Sequence, residues 1–169
     1  IVKPKSLKIL DLGCGTGLAG NKFKDVGKYL TGIDISPAMV EKAQEKFLYD
    51  ELIVGGLTDE LAKFQISNRK FDLFLCADVL IYVGDCKRLF SQIRGISEKN
   101  AQFLFSTELL SSHGFRLLNS GRFAHSHEYI SMCIEEFNFR LISYNKFPLR
   151  KEETGTLLAG VYHLCTQPL

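Results

Sequence analysis

The chain has 169 residues, of which 46% are hydrophobic and 24% are charged. These values are typical of one globular domain, so we expect a single domain over residues 1–169. The net charge of +2 at pH 7 comes from scattered side chains, and therefore neither a nucleic acid nor a membrane is expected as a partner.

The five cysteines are widely separated, and the sequence has no CxxC motif and no Cys/His cluster. This pattern indicates a reduced, cytoplasmic protein without a structural metal. The apolar runs are too short to cross a bilayer, and no signal peptide opens the chain. Because Ile1 stands just before the first strand pattern, we expect that an N-terminal segment is missing.

Strand and helix patterns alternate along the chain. In order, the predicted elements are a strand over 7–12, a helix over 18–26, a strand over 29–35, a helix from 36 to about 47, strands over 52–57 and 71–77, a helix around 89–96, a strand over 101–106, a helix around 130–137, and strands over 140–147 and 156–165. Residues 109–125 show no clear period, and such long loops are usually lids or binding loops. They form the candidate substrate loop.

This alternation predicts a doubly wound, Rossmann-like α/β fold. Its seven-stranded sheet is expected to be mostly parallel, with a C-terminal antiparallel hairpin around the polar turn Lys151–Gly155. Ligands of such sheets bind outside the carboxyl ends of the strands. Functional residues are therefore expected directly after each strand.

A glycine-rich turn, DLGCGTG over residues 11–17, follows the first strand. Alternating glycines let the backbone turn tightly and approach a ligand without a Cβ in the way. The following helix N-terminus would suit a carboxylate or a phosphate. The alternative is a tight strand-to-helix turn that binds nothing.

Asp34 ends the second strand, where an acid accepts hydrogen bonds from ribose hydroxyls. Its alternative role is a charge at the start of the helix that Ser36 and Pro37 open. Together with the glycine turn, Asp34 points to an adenosine-containing cofactor. The dinucleotide fingerprint would need a glycine where Leu18 stands, and Asp11 would repel a pyrophosphate but suit an ammonium group. Both features favour S-adenosylmethionine over NAD.

Three segments resemble the motifs of class I methyltransferases: ILDLGCGTG over 9–17, GIDISPAM over 32–39, and FDL through ADVLIY over 71–82. A fourth segment, GRFAHS over 121–126, resembles predicted methyltransferases that sometimes follow tetratricopeptide repeats. The resemblance implies S-adenosylmethionine as the cofactor and methyl transfer as the activity. It covers nearly the whole chain.

The resemblance also implies a set of cofactor-binding residues. They are Asp11, Gly13 and Gly15 at the methionine part, with Cys14 and Gly17 of the same turn, Asp34 at the ribose, Ile35, Met39 and Leu57 at the adenine, and Asp78 and Val79 under the methionine end. The chain departs from the pattern after the third strand, where many relatives have an acid and this sequence has Gly55-Gly56-Leu57. Thr58 or Asp59 would have to replace that acid.

Methyl transfer sometimes needs a general base, and histidine titrates near neutral pH. The catalytic candidates are the histidines in or next to the long loop, namely His113, His125 and His127. The alternative is that the last two only flank the capping residue Ser126 and that the first is solvated. Other candidates are Glu108 as a base, Arg116 and Arg122 for an acidic substrate, and Tyr82 near the sulfonium.

The sequence thus predicts a methyltransferase whose acceptor is a small molecule or, second, a protein side chain. The fourth strand ends in Ala77-Asp78-Val79-Leu80 rather than an Asn/Asp-Pro-Pro-aromatic turn, so methylation of nucleic-acid bases is not expected. A non-catalytic module that only binds the cofactor is the alternative, and a nucleotide-dependent oxidoreductase is a third. The oligomeric state is not predicted.

Overall fold

The computed structural model describes residues 6–152 and 155–168, and within them strands and helices alternate along most of the chain. The strands are β1 Leu7–Leu12, β2 Gly27–Asp34, β3 Glu51–Val54, β4 Phe71–Cys76, β5 Ser97–Leu109, β6 Phe115–Leu117, β7 Phe123–His125, β8 Phe139–Glu152 and β9 Gly155–Thr166. The helices are α1 Leu18–Phe23, α2 Pro37–Gln44, α3 Leu57–Ile66, α4 Lys87–Gly95 and α5 His127–Glu136, with a 3-10 turn at Leu80–Tyr82.

The nine strands of the described residues form one sheet, in which β3, β2, β1, β4 and β5 are parallel neighbours in that order. Strand β9 runs antiparallel to β5, and β8 pairs antiparallel with β9. The predicted Rossmann-like, mostly parallel sheet with its C-terminal hairpin is therefore confirmed. Residues 153 and 154 of the predicted turn lie outside the described residues.

Two local predictions are wrong. The third strand ends at Val54 rather than Leu57, because the backbone turns at the glycine pair and Leu57 begins α3, with Gly56 as its extended N-cap. The predicted structureless loop over 109–125 contains β6 and β7, which pair with each other. Strand β7 also pairs in parallel with the last two residues of β5. The loop is therefore fastened to the carboxyl edge of the sheet.

The larger core lies on one face of the sheet and is rich in aromatic rings. Phe90 of α4 makes edge-to-face contacts with Phe103 and Phe105 of β5, and Tyr162 of β9 stacks on Phe105 at 4.8 Å between ring centroids. A smaller apolar cluster around Ile9 and its neighbours covers the opposite face. Since both faces are covered, β1 and β4 read as continuous apolar runs, and their polar residues stand at the strand ends.

No helix in the described part of the chain is long and apolar enough to span a membrane. The helices there have six to ten residues each.

Candidate functional site

A cleft of about 350 Å³ opens at the carboxyl ends of β1 to β4. It is lined by Gly13, Asp34, Ile35, Gly55, Gly56, Leu57, Asp78, Val79, Tyr82 and Val83. Six of these were predicted as cofactor-binding residues from the sequence: Gly13, Asp34, Ile35, Leu57, Asp78 and Val79. The parallel topology brings them together from four different strand ends, as expected of a ligand site in a doubly wound sheet.

The glycines of the turn after β1 have positive φ angles: +66° at Gly13, +52° at Gly15 and +86° at Gly17. A methyl group at Gly13 would lie only 2.4 Å from Cγ2 of Val79. Glycine is therefore required there for two reasons, the left-handed backbone and the close approach of the segment after β4. This approach closes one wall of the cleft.

Asp34 joins the glycine turn to the start of α2. Its Oδ2 accepts a hydrogen bond from the backbone N–H of Gly15 at 2.8 Å, and its Oδ1 accepts one from the N–H of Ser36 at 2.8 Å. Both roles considered from the sequence are thus compatible, because the side chain supports the helix start and also lines the cleft. A carboxylate can accept about four hydrogen bonds, so these two leave capacity for ribose hydroxyls.

Asp11 occupies a different place from the one expected. Its side chain is buried and accepts a hydrogen bond from the hydroxyl of Tyr49 at 2.6 Å. Burial raises the pKa of Asp11 to about 6, although the bonds from Tyr49 and from the backbone of Gly20 act in the opposite direction. Asp11 is not among the residues that line the cleft, and its predicted contact with an ammonium group stays a prediction.

Tyr49 was not singled out from the sequence. It follows α2 in a short connection with no periodic pattern. Its ring lies against the turn and the first helix, since Cβ atoms at Gly17 and Gly20 would meet it at 3.0 Å and 2.4 Å. The role of Tyr49 depends on contacts between segments that are distant in the sequence, and no local sequence pattern indicates it.

The remaining predicted cofactor residues lie beside the cleft rather than in its lining. Cys14 is buried, its N–H donates to the carbonyl of Ile33 at 2.9 Å, and burial raises the pKa of its thiol to about 12. Met39 is partly exposed on the first turn of α2. Over residues 6–152 and 155–168, no group of three or more potential metal-binding side chains occurs.

A second cleft, of about 250 Å³, adjoins the first. It is lined by Asp78, Ile81, Tyr82, Ser106, Thr107, Glu108, Arg122, Leu149 and Ala159. Asp78 and Tyr82 line both clefts. Asp78 has a positive φ of 57°, and its N–H donates to Oγ of Ser106 at 3.0 Å, which fixes the border between the two spaces.

None of the three predicted catalytic histidines lines either cleft. His125 is completely buried, with Nδ1 2.7 Å from Oγ1 of Thr107 and Nε2 2.9 Å from the carbonyl oxygen of Gly84. Burial lowers the pKa of His125, so the fold favours the neutral ring. These contacts tie β7 to β5 and to the segment before α4, which is a structural role.

His127 and His113 have partners outside the clefts as well. Nδ1 of His127 lies 3.1 Å from the hydroxyl of Tyr162, and its ring stacks on Tyr144. His113 is exposed and pairs with Glu128. A general-base role of the histidines stays a prediction without support from this geometry. The acidic residues that line the second cleft are Asp78 and Glu108.

A Rossmann-like sheet with a glycine turn and a strand-end acid in one cleft defines a protein that binds a nucleoside-containing cofactor. Residues 9–100, more than half of the chain, match the family model described as a methyltransferase domain. The chain therefore belongs to the methyltransferase domain family.

Similar proteins of known activity have different acceptors. The chain is 42% identical over 57 residues to the 18S rRNA (guanine-N(7))-methyltransferase of Bos taurus, covering 34% of this chain and 20% of that protein. It is 24% identical to a ubiquinone biosynthesis O-methyltransferase of Coxiella burnetii, covering 61% of this chain and 44% of that protein. A malonyl-[acyl-carrier protein] O-methyltransferase of Ilyobacter polytropus is 30% identical, with 61% and 38% covered. The chain thus spans less than half the length of these curated relatives.

Solved structures share the fold over nearly the whole chain. A SAM-dependent methyltransferase from Methanosarcina mazei superposes with a TM-score of 0.72 and 15% identity, covering 99% of this chain and 96% of that one. Magnesium protoporphyrin IX methyltransferase from Synechocystis PCC 6803, solved with bound SAM, has a TM-score of 0.72 and 19% identity, with 95% and 70% covered.

Proposed function

We propose that this chain is an S-adenosylmethionine-dependent methyltransferase domain that methylates a small molecule. The observation that carries the proposal is the placement of Asp34, which is held by Gly15 and lines the cleft at the strand ends. Family membership supports methyl transfer, and the Synechocystis methyltransferase of the same fold binds this cofactor.

The cleft residues suggest how the cofactor is held. Asp34 would accept hydrogen bonds from the ribose hydroxyls, and Ile35, with Met39 next to it, would pack on the adenine. The backbone of Leu57 would meet the adenine edge, where Gly55 and Gly56 leave space but supply no carboxylate. The glycines at 13 and 15 would let the methionine part approach the backbone, with Asp78 and Val79 beneath its methyl end.

When bound, this cofactor supplies an activated methyl group on a sulfonium. Held by Asp34 and the glycine turn, the cofactor would donate this methyl group to a lone pair of the acceptor, while the electron pair of the carbon–sulfur bond would stay on sulfur. The acceptor's proton passes to water or to a nearby carboxylate. The protein's part is to align the two reactants and exclude water, and alignment of this kind can contribute roughly 7–11 kcal/mol.

The acceptor class rests on the second cleft, whose walls are mixed apolar and polar and whose volume of about 250 Å³ suits a small molecule. The ubiquinone-pathway and malonyl-carrier relatives support small acceptors. The similarity to an rRNA methyltransferase does not support a general exclusion of nucleic acid, so the expected absence of a nucleic-acid partner stays a prediction. The cytoplasmic location, the tetratricopeptide-repeat association and the domain organisation also stay predictions.

Calorimetric titration with S-adenosylmethionine, S-adenosylhomocysteine and NAD tests the proposal. We expect the two sulfur cofactors to bind and NAD not to bind. Asp34→Ala should weaken their binding by about 1.5–3 kcal/mol, because charge-assisted hydrogen bonds to the ribose are lost. The matched control is Asp72→Ala, which removes a carboxylate that also accepts a backbone N–H, from Lys8, at the opposite end of the sheet.

Preferential binding of NAD, or unchanged binding by the Asp34 variant, would contradict the cofactor assignment. Transfer of labelled methyl groups to an acceptor separates the enzyme from a non-catalytic binding module. A protein that binds both sulfur cofactors but transfers no label to any of a broad set of acceptors would favour the module.

A further inference from the structure

We propose that the second cleft binds a small acceptor that carries a carboxylate group, and that Arg122 is the residue that recognises this group. The inference rests on the proposed function and adds the substrate class. Its basis is the position of an ion pair, Arg122 with Glu108, inside the space that adjoins the cofactor cleft.

The two clefts are neighbours, because Asp78 and Tyr82 line both of them. An acceptor in the second cleft therefore has one side next to the cofactor's methyl end. The other described walls come from β5, from the residue before β7 and from the C-terminal hairpin. A small acceptor can therefore contact the cofactor side of the cleft at Asp78 and Tyr82 and, at the same time, the recognition side at Arg122.

Arg122 is suited to recognise an anion. Its Nη1 lies 3.2 Å from Oε1 of Glu108, and its side chain is 44% exposed, whereas that of Glu108 is only 2% exposed. A guanidinium carries five N–H donors in a rigid fork, so one contact with Glu108 leaves donors for a second, planar oxyanion. The buried carboxylate holds the arginine in place, and Arg122 is one of the residues that line the cleft.

The backbone at Arg122 is fixed as well. Its carbonyl oxygen accepts a hydrogen bond from the N–H of Leu118 at 2.8 Å, and Gly121, with φ of +77°, closes the turn. The following strand β7 pairs with β5 at Glu108 and Leu109. The arginine is therefore presented by a paired hairpin rather than by an unstructured loop, and little ordering is needed when an acceptor binds.

The charges of the cleft select among anions. Its lining includes the carboxylates of Asp78 and Glu108 and one arginine. A singly charged carboxylate can pair with the arginine fork, whereas a doubly charged phosphate would meet stronger repulsion from the two acids. Leu149 and Ala159 provide an apolar wall for the body of the acceptor. The volume of about 250 Å³ lies below the usual range for drug-sized ligands, so the acceptor is small.

The experiment compares small hydroxy and amino carboxylic acids with their primary amides, which match them in size and lack the charge. Calorimetry measures their binding to the protein saturated with S-adenosylhomocysteine, and labelled S-adenosylmethionine measures methyl transfer. We expect at least one acid to be preferred over its amide by roughly 10- to 100-fold. Arg122→Gln should abolish this preference through a raised KM, while Arg122→Lys should retain part of it.

The matched control is Arg116→Gln, an exposed arginine of the neighbouring strand β6 that does not line the cleft. It should leave the preference unchanged. Cofactor binding by the Arg122 variants should equal that of the wild type, which shows that they are folded. The inference is overturned if no acid of the panel binds, if acids and amides bind equally, or if both glutamine variants behave alike. Failure of the proposed function has a separate signature, namely absence of cofactor binding by the wild type.

Discussion

Among single residues, the carboxyl group of Asp11 has the most unusual surroundings. It lies in the interior beneath the glycine turn, bonded to Tyr49, and its pKa is raised from 3.8 to about 6 because burial disfavours the charged form. Asp11 is therefore neutral in the fold at mildly acidic pH. At neutral pH it is ionised and its burial reduces the free energy of unfolding.

This raised pKa predicts a pH-dependent effect of Asp11→Asn. The protonated carboxyl group of Asp11 makes its full contribution to the free energy of unfolding below the unfolded pKa of 3.8. This contribution is lost as the pH rises through the folded pKa of about 6. The variant should match the wild type near about pH 4 and be more stable by up to about 3 kcal/mol above about pH 6. Urea unfolding at a series of pH values measures the difference, with Asp72→Asn as the control. A difference independent of pH would show that Asp11 is not buried as described.

The residues that line the first cleft were largely predictable from the sequence, whereas the residues that support them were not. Gly13, Asp34 and Asp78 directly follow strands, and parallel strands bring such positions together whatever else the chain does. Tyr49 could not be predicted, because its contact with Asp11 depends on how the connection after α2 folds over α1. The same holds for the pairing of Arg122 with Glu108, which needs the pairing of β7 with β5.

Among the elements, helix α3 was missed although its sequence carries a signal. Leu57, Leu61 and Phe64 are spaced as one helical face, and the first turn contains two acids, which favour a helix N-terminus. Strands β6 and β7 have three residues each, too few for a period-two pattern to stand out. Their stability comes from pairing and from the buried contacts of His125.

The neutral state of His125 predicts that β7 is held less firmly in acid. Because the pKa of this histidine is lowered, its stabilising contribution is complete above the unfolded value of 6.5 and is lost as the pH falls through the folded value. His125→Gln should lower the free energy of unfolding by about 1–3 kcal/mol at about pH 7.5, since buried hydrogen bonds are lost. This deficit should shrink below about pH 6.

Thermal unfolding of the wild type and the variant at several pH values measures this deficit. His163, whose pKa is also lowered, is present in both proteins, so the difference isolates His125. His113→Gln, an exposed histidine of the same region, is the control and should have little effect at any pH. A constant deficit across the series would contradict the assignment of a neutral, buried His125.

For the molecule as a whole, β9 is the strand that joins the C-terminal hairpin to the parallel sheet. It pairs with β5 on one side and β8 on the other, and Val161 lies opposite both Ser106 and Asn145. Among the described strands, β8 pairs only with β9, and it contains Pro148 next to a register shift, as an edge strand tolerates. The two strands of the hairpin therefore differ in their sensitivity to a break in pairing.

Val161→Pro should strongly lower the free energy of unfolding, because proline removes a ladder hydrogen bond in an interior strand and leaves the partner group unpaired, at a cost of about 1–3 kcal/mol or more. Ile142→Pro is the matched control, since this residue lies at a register shift of the edge strand and should cause a smaller loss. Circular dichroism during thermal unfolding compares the two. Equal losses would mean that β9 is not the interior strand of the hairpin.

The position of β9 in the sheet also affects how the chain folds during synthesis. Strand β5 leaves the ribosome well before β9, since the whole of α5 and β8 is made between them. Until β9 emerges, the edge of β5 that includes Phe103 and Phe105 lacks the strand that pairs with it in the folded domain. Unpaired apolar edges favour association with other chains. Slower translation of the segment after β5 should therefore reduce the yield of folded protein, and chaperones that bind extended strands should increase it.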